Sequence, residues 1–313
     1  MNIQQFQYVL AVAEHKHFEQ AAEKCSITQS TLSTMIGKLE DELAVKLFDR
    51  KTKPVSLTKE GEELITQMQV VMKEIGALEN LAQEIKGEIM GRIKIGVIPT
   101  VAPYLLPLFL TRFAAAFPKV HVVVQEMRTH DIQRALKERS IDVGIAAVPL
   151  LDKELLETSL YTEPFVLFDC HSQHKSGKQV DIQSIDFSHF LLLEEGHCLR
   201  TQVEQICELS GTQLSDSMNF EFKAGSIDSL LRFTKSYEGT TLLPYLATLG
   251  MESEDQKRLY PFAAPTPVRT IGLVVHRHFV KKRLLQGLEQ IIQEAVAPLI
   301  KQEAKSKNFL PLN

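Results

Sequence analysis

The chain has 313 residues, 44% of them apolar and 24% charged, with a net charge of −4. That length suits two or three domains rather than one core, and no apolar run nears the roughly 20 residues of a membrane span. The N-terminus lacks the apolar stretch of a signal peptide, and a slightly acidic chain must meet nucleic acid through a local patch, if at all. Four cysteines (Cys25, Cys170, Cys198 and Cys207) occur without CxxC or zinc-type Cys/His spacing. They make neither a secreted disulfide framework nor a structural metal site. The expectation is a cytoplasmic protein without membrane or cofactor, in which any disulfide is transient and sensory.

Ile3, Phe6, Tyr8, Val9, Leu10 and Val12 predict a first amphipathic helix, and Phe18 to Cys25 a second in which Ala21-Ala22 permits close packing. Ser26-Ile27-Thr28 predicts a tight turn, with Thr28 as N-cap of a third helix through Leu43. Leu32, Met35, Ile36, Leu39 and Leu43 would line the buried face of that helix. Short helix, turn and helix make a helix-turn-helix pattern. Gln29, Ser30, Thr31 and Ser33 open the third helix, are small or both donate and accept, and suit base edges in a groove. An ordinary three-helix bundle with a polar face shares the pattern. Residues 46–59 then carry Lys46, Arg50, Lys51, Lys53 and Lys59 against Asp49 alone. Arg50-Lys51 and Val55-Ser56-Leu57 read as two short strands around a Thr52-Lys53-Pro54 turn, a wing whose cations, with Lys38, would lie along phosphates. A solvated loop is the plainer reading of such a run.

Thr58 is the expected cap of a long helix from Lys59 to about Lys86. Its stripe of Leu64, Met68, Val71, Ile75, Leu78, Leu81 and Ile85 suits pairing with a second copy. Gly87 and Gly91 would end it as a hinge. From Arg92 the pattern changes to strand 93–98, helix 102–117, strand 120–124, helix 131–139 and strand 141–146. That βαβαβ run predicts a parallel sheet with right-handed crossovers. Further strands are expected at 165–168, 190–193, 220–223, 240–243 and 269–276, and a last helix at 281–301. The order implies two Rossmann-like subdomains, the second inserted into the first. Ligands of such sheets bind beyond the carboxyl ends of strands, where Thr100, Thr129 and His197 all stand. As lone residues the two threonines are most often helix caps.

Glu194-Glu195-Gly196-His197-Cys198-Leu199-Arg200 leads into a helical run ending at Cys207. On a continuous helix, nine steps place the two cysteine Cα atoms roughly 13 Å apart, whereas a disulfide needs about 7 Å or less. The thiols therefore pair only if the segment unwinds. Cys198 stands at the helix start beside His197 and Arg200, the setting that favours a thiolate; Cys207 precedes Glu208. The spacing alone leaves open whether these are a reactive pair or two unrelated thiols, one a core filler. Cys25 and Cys170 read as fillers.

Glu195 to Arg200 with a second cysteine nine residues on resembles the switch of the OxyR hydrogen-peroxide sensors, a branch of the LysR-type transcriptional regulators. Phe6 to Phe18, Ala21-Ala22, Gln29 to Ser33, Lys38-Leu39-Glu40 and Leu47 to Arg50 are similar to the LysR winged-helix pattern, although Ser30 stands where the family usually has proline. Ile98-Pro99-Thr100-Val101, Pro103 to Pro107 and Arg269 to Val274 resemble the peroxide-sensor branch, and Thr240 to Pro244 a common effector-domain turn. Thr201 departs from a frequent acid, and the stretch after Cys207 is longer than usual.

The resemblance implies an α/β chain with an N-terminal all-α winged helix-turn-helix domain (1–58), a dimerisation helix and hinge (59–90), and an effector domain like periplasmic binding proteins. Its first subdomain would comprise 91–163 plus 268–301 and its second, holding the switch, 164–267, with a tail at 302–313. It implies no enzyme but a regulator whose peroxidatic Cys198 and resolving Cys207 form a reversible disulfide. Thr100 and Thr129 would orient peroxide, and His197 and Arg269 would favour the thiolate. It further implies promoter DNA as partner, with nucleoid association when bound, and a homodimer assembling to a homotetramer. RNA polymerase and a glutaredoxin- or thioredoxin-type reductant complete the implied partners. A regulator answering to a small anionic metabolite, a thiol peroxidase and a plain binding protein are the alternatives.

Overall fold

The computed structural model describes residues 1–85, 89–171, 179–185, 187, 189–209, 222–300 and 309–312, with backbone alone at 80, 83, 84 and 207–209. It divides into two compact units, Met1–Lys86 and Gly87–Asn313.

The first unit opens with α1 (Ile3–His15), α2 (Phe18–Lys24) and α3 (Gln29–Leu43). Asn2 caps α1 in a reciprocal box with Gln5. Thr28 caps α3 as expected, its hydroxyl accepting from Thr31 N at 3.2 Å. The wing differs in register from the expectation. Its strands are β1 (Phe48–Asp49) and β2 (Ser56–Leu57), with Phe48 opposite Leu57. Phe48 is buried in the unit's core, so it fixes the pairing, and Arg50-Lys51 is left to turn.

Thr58 then caps α4 (Lys59–Ile85), accepting from Gly61 N at 2.9 Å. The apolar stripe of α4 divides in two. Ile65 and Met68 are buried in the unit's own core with Leu64, Val71 and Met72 against it. Leu78, Leu81 and Ile85 are exposed in the single chain. The expected hinge at Gly87 lies outside the described residues.

The second unit begins with β3 (Gly91–Val97), α5 (Ala102–Ala116), β4 (Val120–Glu126), α6 (Thr129–Lys137) and β5 (Val143–Val148). β3 pairs in parallel with β4 and β5, as the βαβαβ pattern requires. Next come β6 (Leu155–Asp169), α7 (Cys198–Leu209), α8 (Ile227–Tyr237), β7 (Thr240–Pro244), α9 (Tyr245–Thr248), α10 (Ser253–Gln256) and β8 (Leu259–Pro261). The chain closes with β9 (Thr266–His276), α11 (Lys282–Val296) and β10 (Phe309–Pro311). Among the described residues the sheet order is β4-β3-β5-β9-β6-β7, with β10 on β9 and β8 on β6. β5, β6, β7 and β8 take their partners beyond the first three strands antiparallel, so the sheet is mixed rather than wholly parallel.

Two apolar cores result. One gathers β3, β5, α5, α6 and α11, and the other β7, α7, α8 and the far half of β6. β6 leaves the first core for the second and β9 returns, so both run through the junction. Residues 190–193 form only isolated bridges, Phe190 with Thr240 and Leu193 with Ala224, not the expected strand. The expected strand at 220–223 begins outside the described residues. The last helix stops at Val296, and part of the expected tail becomes β10.

Candidate functional site

The junction of the two cores carries one buried ion pair. Glu163 on β6 faces Arg269 on β9 in strand register. Arg269 Nε donates to Glu163 Oε1 at 2.9 Å, and both residues are almost wholly buried. Arg269 Nη1 reaches Thr100 Oγ1 at 3.2 Å and Nη2 the Thr100 carbonyl at 3.2 Å, while Glu163 Oε2 accepts from Leu246 N. Arg269 therefore holds the turn after β3 onto the crossing strands. Its charge is met by the Glu163 carboxylate.

Thr100 is buried in that turn and caps no helix; the N-cap of α5 is Val101. Thr129 is the first residue of α6, whose N-cap Arg128 makes no side-chain cap bond. The Thr129 hydroxyl oxygen is buried without a hydrogen-bond partner among the described residues. A buried hydroxyl in that state costs about 1–3 kcal/mol, and such a cost in a native fold calls for an explanation.

Cys198 begins α7, where the helix dipole favours negative charge. It is half-buried and packs against the first core, while Leu199, Val203 and Ile206 of the same helix are buried in the second. Helix periodicity thus turns Cys198 towards the first body and the other three towards the second. The helix continues through position 207, whose side chain lies outside the described residues. Helical rise over nine residues separates the two Cα atoms by roughly 13 Å. Gln202, one turn after Cys198, is buried with its Oε1 unpartnered among the described residues.

Three charges expected to act on Cys198 are modified by their neighbours. His197 is buried; its burial, reinforced by the Arg128 charge, holds the imidazole below the usual histidine value, with Glu194 opposing. It is therefore chiefly a neutral hydrogen-bonding ring near neutral pH. Arg200 Nε is taken by Glu204 at 2.8 Å, and its Nη1 reaches the Leu193 carbonyl. Arg269 is taken by Glu163. Sequence reasoning missed Glu163, Arg128 and Glu194 as partners, although Arg128 directly precedes Thr129 and Glu194 opens the cysteine motif.

Pro99, Met127, Arg128, Glu194, His197 and Gly225 line a cavity of about 430 Å³. It joins the ends of β3 and β4 to the approach to α7; of the three strand-end residues expected to converge, His197 is in its lining. Cys170 accepts a hydrogen bond from Arg258 at 3.3 Å, and burial pushes its thiol up. Burial likewise raises Cys25. Both fit the role of filler. Among the described residues no group of three His, Cys, Asp or Glu could hold a metal, and no helix is long and apolar enough to cross a membrane.

On the first unit, Gln29, Ser30, Thr31 and Lys38 are exposed on α3, and Lys51 and Lys53 on the wing. Lys16, His17, Gln29, Arg50, Lys53 and Pro54 share a depression between helices and wing. Two expected contacts, Ser33 and Arg50, bond each other, and Arg50 stays exposed. Arg50 donates to Ser33 Oγ at 2.9 Å and to Glu40 at 3.3 Å, and its guanidinium lies 5.0 Å from the Phe18 ring centre. Glu40 is buried and accepts from Leu47 N at 2.8 Å. Arg50 and Glu40 thus tie the wing to α3, and Arg50 is exposed beside Lys51 and Lys53.

Residues 3–62 match the family model "Bacterial regulatory helix-turn-helix protein, lysR family", and residues 86–297 match "LysR substrate binding domain". The "Hydrogen peroxide-inducible genes activator" of Haemophilus influenzae is 34% identical over 275 residues, 88% of this chain and 90% of that protein. The "DNA-binding transcriptional dual regulator OxyR" of Escherichia coli is 36% identical over 277 residues, 88% of this chain and 89% of that one. Among solved structures, a full-length OxyR mutant from Pseudomonas aeruginosa matches with TM-score 0.72 and 29% identity, covering 94% of this chain and 98% of that one. A hydrogen-peroxide-bound OxyR mutant of Corynebacterium glutamicum matches with TM-score 0.63 and 26% identity, covering 100% and 98%.

Proposed function

The chain belongs to the LysR family of transcriptional regulators and, within it, to the OxyR-like peroxide-sensing regulators; on that premise we propose that its signal is a reversible Cys198–Cys207 disulfide. Cys198 thiolate attacks one peroxide oxygen, the O–O bond breaks, and the departing hydroxide takes a proton to become water. The sulfur is oxidised by two electrons to a sulfenic acid. Cys207 sulfur then attacks Cys198 sulfur, and the sulfenic oxygen leaves as water with the thiol proton. A dithiol reductant of the glutaredoxin or thioredoxin type would return both thiols.

Thr100, Thr129 and His197 surround the oxidant in this reading. The two hydroxyls and the neutral imidazole can donate to one peroxide oxygen and accept from the other. Arg269 orders Thr100, and the α7 N-terminus supports the anion. The observation that carries the switch is the unbroken α7. While it stands, positions 198 and 207 stay too far apart to bond, so oxidation must remodel the segment that lies between two cores. Closing a ten-residue loop is worth roughly 2.5–3 kcal/mol in the chain-entropy model. That gain opposes lost helix and packing, which keeps the two states close in energy.

The exposed Leu78, Leu81 and Ile85 support a dimer along α4, and dimers of effector domains would complete the tetramer. Paired reading heads place Gln29, Ser30 and Thr31 in successive major grooves, with Lys38, Lys51 and Lys53 on phosphates. The altered assembly would then change contact with operators and with RNA polymerase. Peroxide titration that follows thiol count and operator footprint together tests the proposal. Both should change together in wild type, and neither in Cys198→Ser. A peroxide-dependent footprint in Cys198→Ser would overturn it.

A further inference from the structure

The cavity beside His197 carries an ion pair that peroxide chemistry does not itself require. Arg128 ends the loop from β4 into α6, on the first core. Glu194 follows Leu193, which is buried in the second core, and its N–H donates to the Ala224 carbonyl at 3.0 Å. The two side chains meet in an Arg128 Nη2–Glu194 Oε1 pair in the cavity lining. The guanidinium also lies against bare backbone: a Cβ on Gly196 would stand 3.1 Å from Arg128 Nη1. Gly196 has φ +89°, a conformation that suits glycine and sets the bend into α7. Glu194 Oε1 stands 3.7 Å from His197 Nε2 as well. One arginine of the first body therefore touches the residues that place His197 and Cys198.

We propose that the Arg128–Glu194 pair is a latch on the reduced site, and that Arg128 is a positioning residue governing how fast the disulfide closes. The proposal rests on the Cys198–Cys207 reading. In this latch the first turn of α7 leaves its seat as the two Cα atoms pass from roughly 13 Å to within about 7 Å. Glu194 lies four residues before Cys198 and is drawn with it, whereas Arg128 is fixed to α6. The pair must then part and both charges rehydrate. Its partners are partly exposed, 46% and 30%, so the restraint is modest, roughly two- to fivefold in rate. Exposure also makes it sensitive to salt.

Rapid quenching of the full-length reduced protein after a peroxide pulse, with mass spectrometry, separates sulfenic acid formation from disulfide closure. Arg128→Gln and Glu194→Gln should each speed closure about threefold, and the double variant no further than either. Exchanging the charges, Arg128→Glu with Glu194→Arg, should restore the slow closure. Added salt should speed wild-type closure and leave Arg128→Gln unchanged. Wild-type closure rates in both single variants would overturn the latch while leaving the switch. Fast closure in the charge-exchanged protein would also overturn it. Failure of wild type to form any 198–207 link would overturn the switch and the latch with it.

Discussion

Replacing Thr129 by valine separates a hydroxyl kept for a ligand from a hydroxyl kept for a helix. Its oxygen is buried and unpartnered among the described residues, and α6 draws no cap from it. Valine keeps the β-branched shape and drops the hydroxyl, so the change loses no bond and removes a desolvation penalty of about 1–3 kcal/mol. In a unit of 227 residues, Gly87–Asn313, each kcal/mol is worth about 2–4 °C. The reduced protein should therefore melt a few degrees higher. The rate with peroxide should move oppositely. One lost hydrogen bond to the oxidant, worth about 1–1.5 kcal/mol, slows attack about tenfold. Circular dichroism melting of the reduced full chain and the second-order rate of sulfenic acid formation read the two effects. A lower melting temperature with an unchanged rate would refute the reasoning and return the hydroxyl to the helix.

Thr100→Val should behave differently, because its hydroxyl accepts from Arg269; it should lose about 1.5–3 kcal/mol of stability as well as rate, read by the same pair of assays. Glu163→Gln leaves the buried Arg269 charge without its carboxylate and should cost about 3–5 kcal/mol in denaturant unfolding. His197 has a lowered value in the fold, so the unfolded chain takes up its proton first as pH falls below 6.5. The stability it contributes is complete above 6.5 and is lost as pH drops towards the folded value; wild type should lose more stability than His197→Asn between pH 7 and 5.5. Leu81→Lys on the exposed half of α4 should weaken dimers in sedimentation without lowering the melting temperature of the first unit.

The first unit was largely legible because its helices obey one period and its threonine caps stand where the backbone needs them. Thr28 and Thr58 are local signals, and local signals survive folding. The wing was legible in kind but not in register, because Phe48 is claimed by a distant core and the charged Arg50-Lys51 is not. Arg50 reads as a phosphate contact, and its pairing with Glu40, ten residues earlier, adds a structural tie that the local charge run does not signal. The βαβαβ run was plain for the same reason as the helices. β9 was also legible, but β6 only at its far end, 165–168, because it is buried by two different cores in its two halves and its pattern follows neither alone. Glu163 and Arg269 lie 106 residues apart, and nothing local pairs them. Thr129 reads as a cap from its position at a helix start; only the geometry shows that the cap goes unmade. The spacing of Cys198 and Cys207, by contrast, already contained the distance that matters, because α-helical rise is fixed.

Amide hydrogen exchange across α7 tests the central claim most directly. In the reduced protein the amides from about residue 202 to 207 should be protected as a continuous helix, and peroxide should release them in wild type but not in Cys207→Ser. Equal protection before and after oxidation, in a sample where the 198–207 disulfide has formed, would contradict the account.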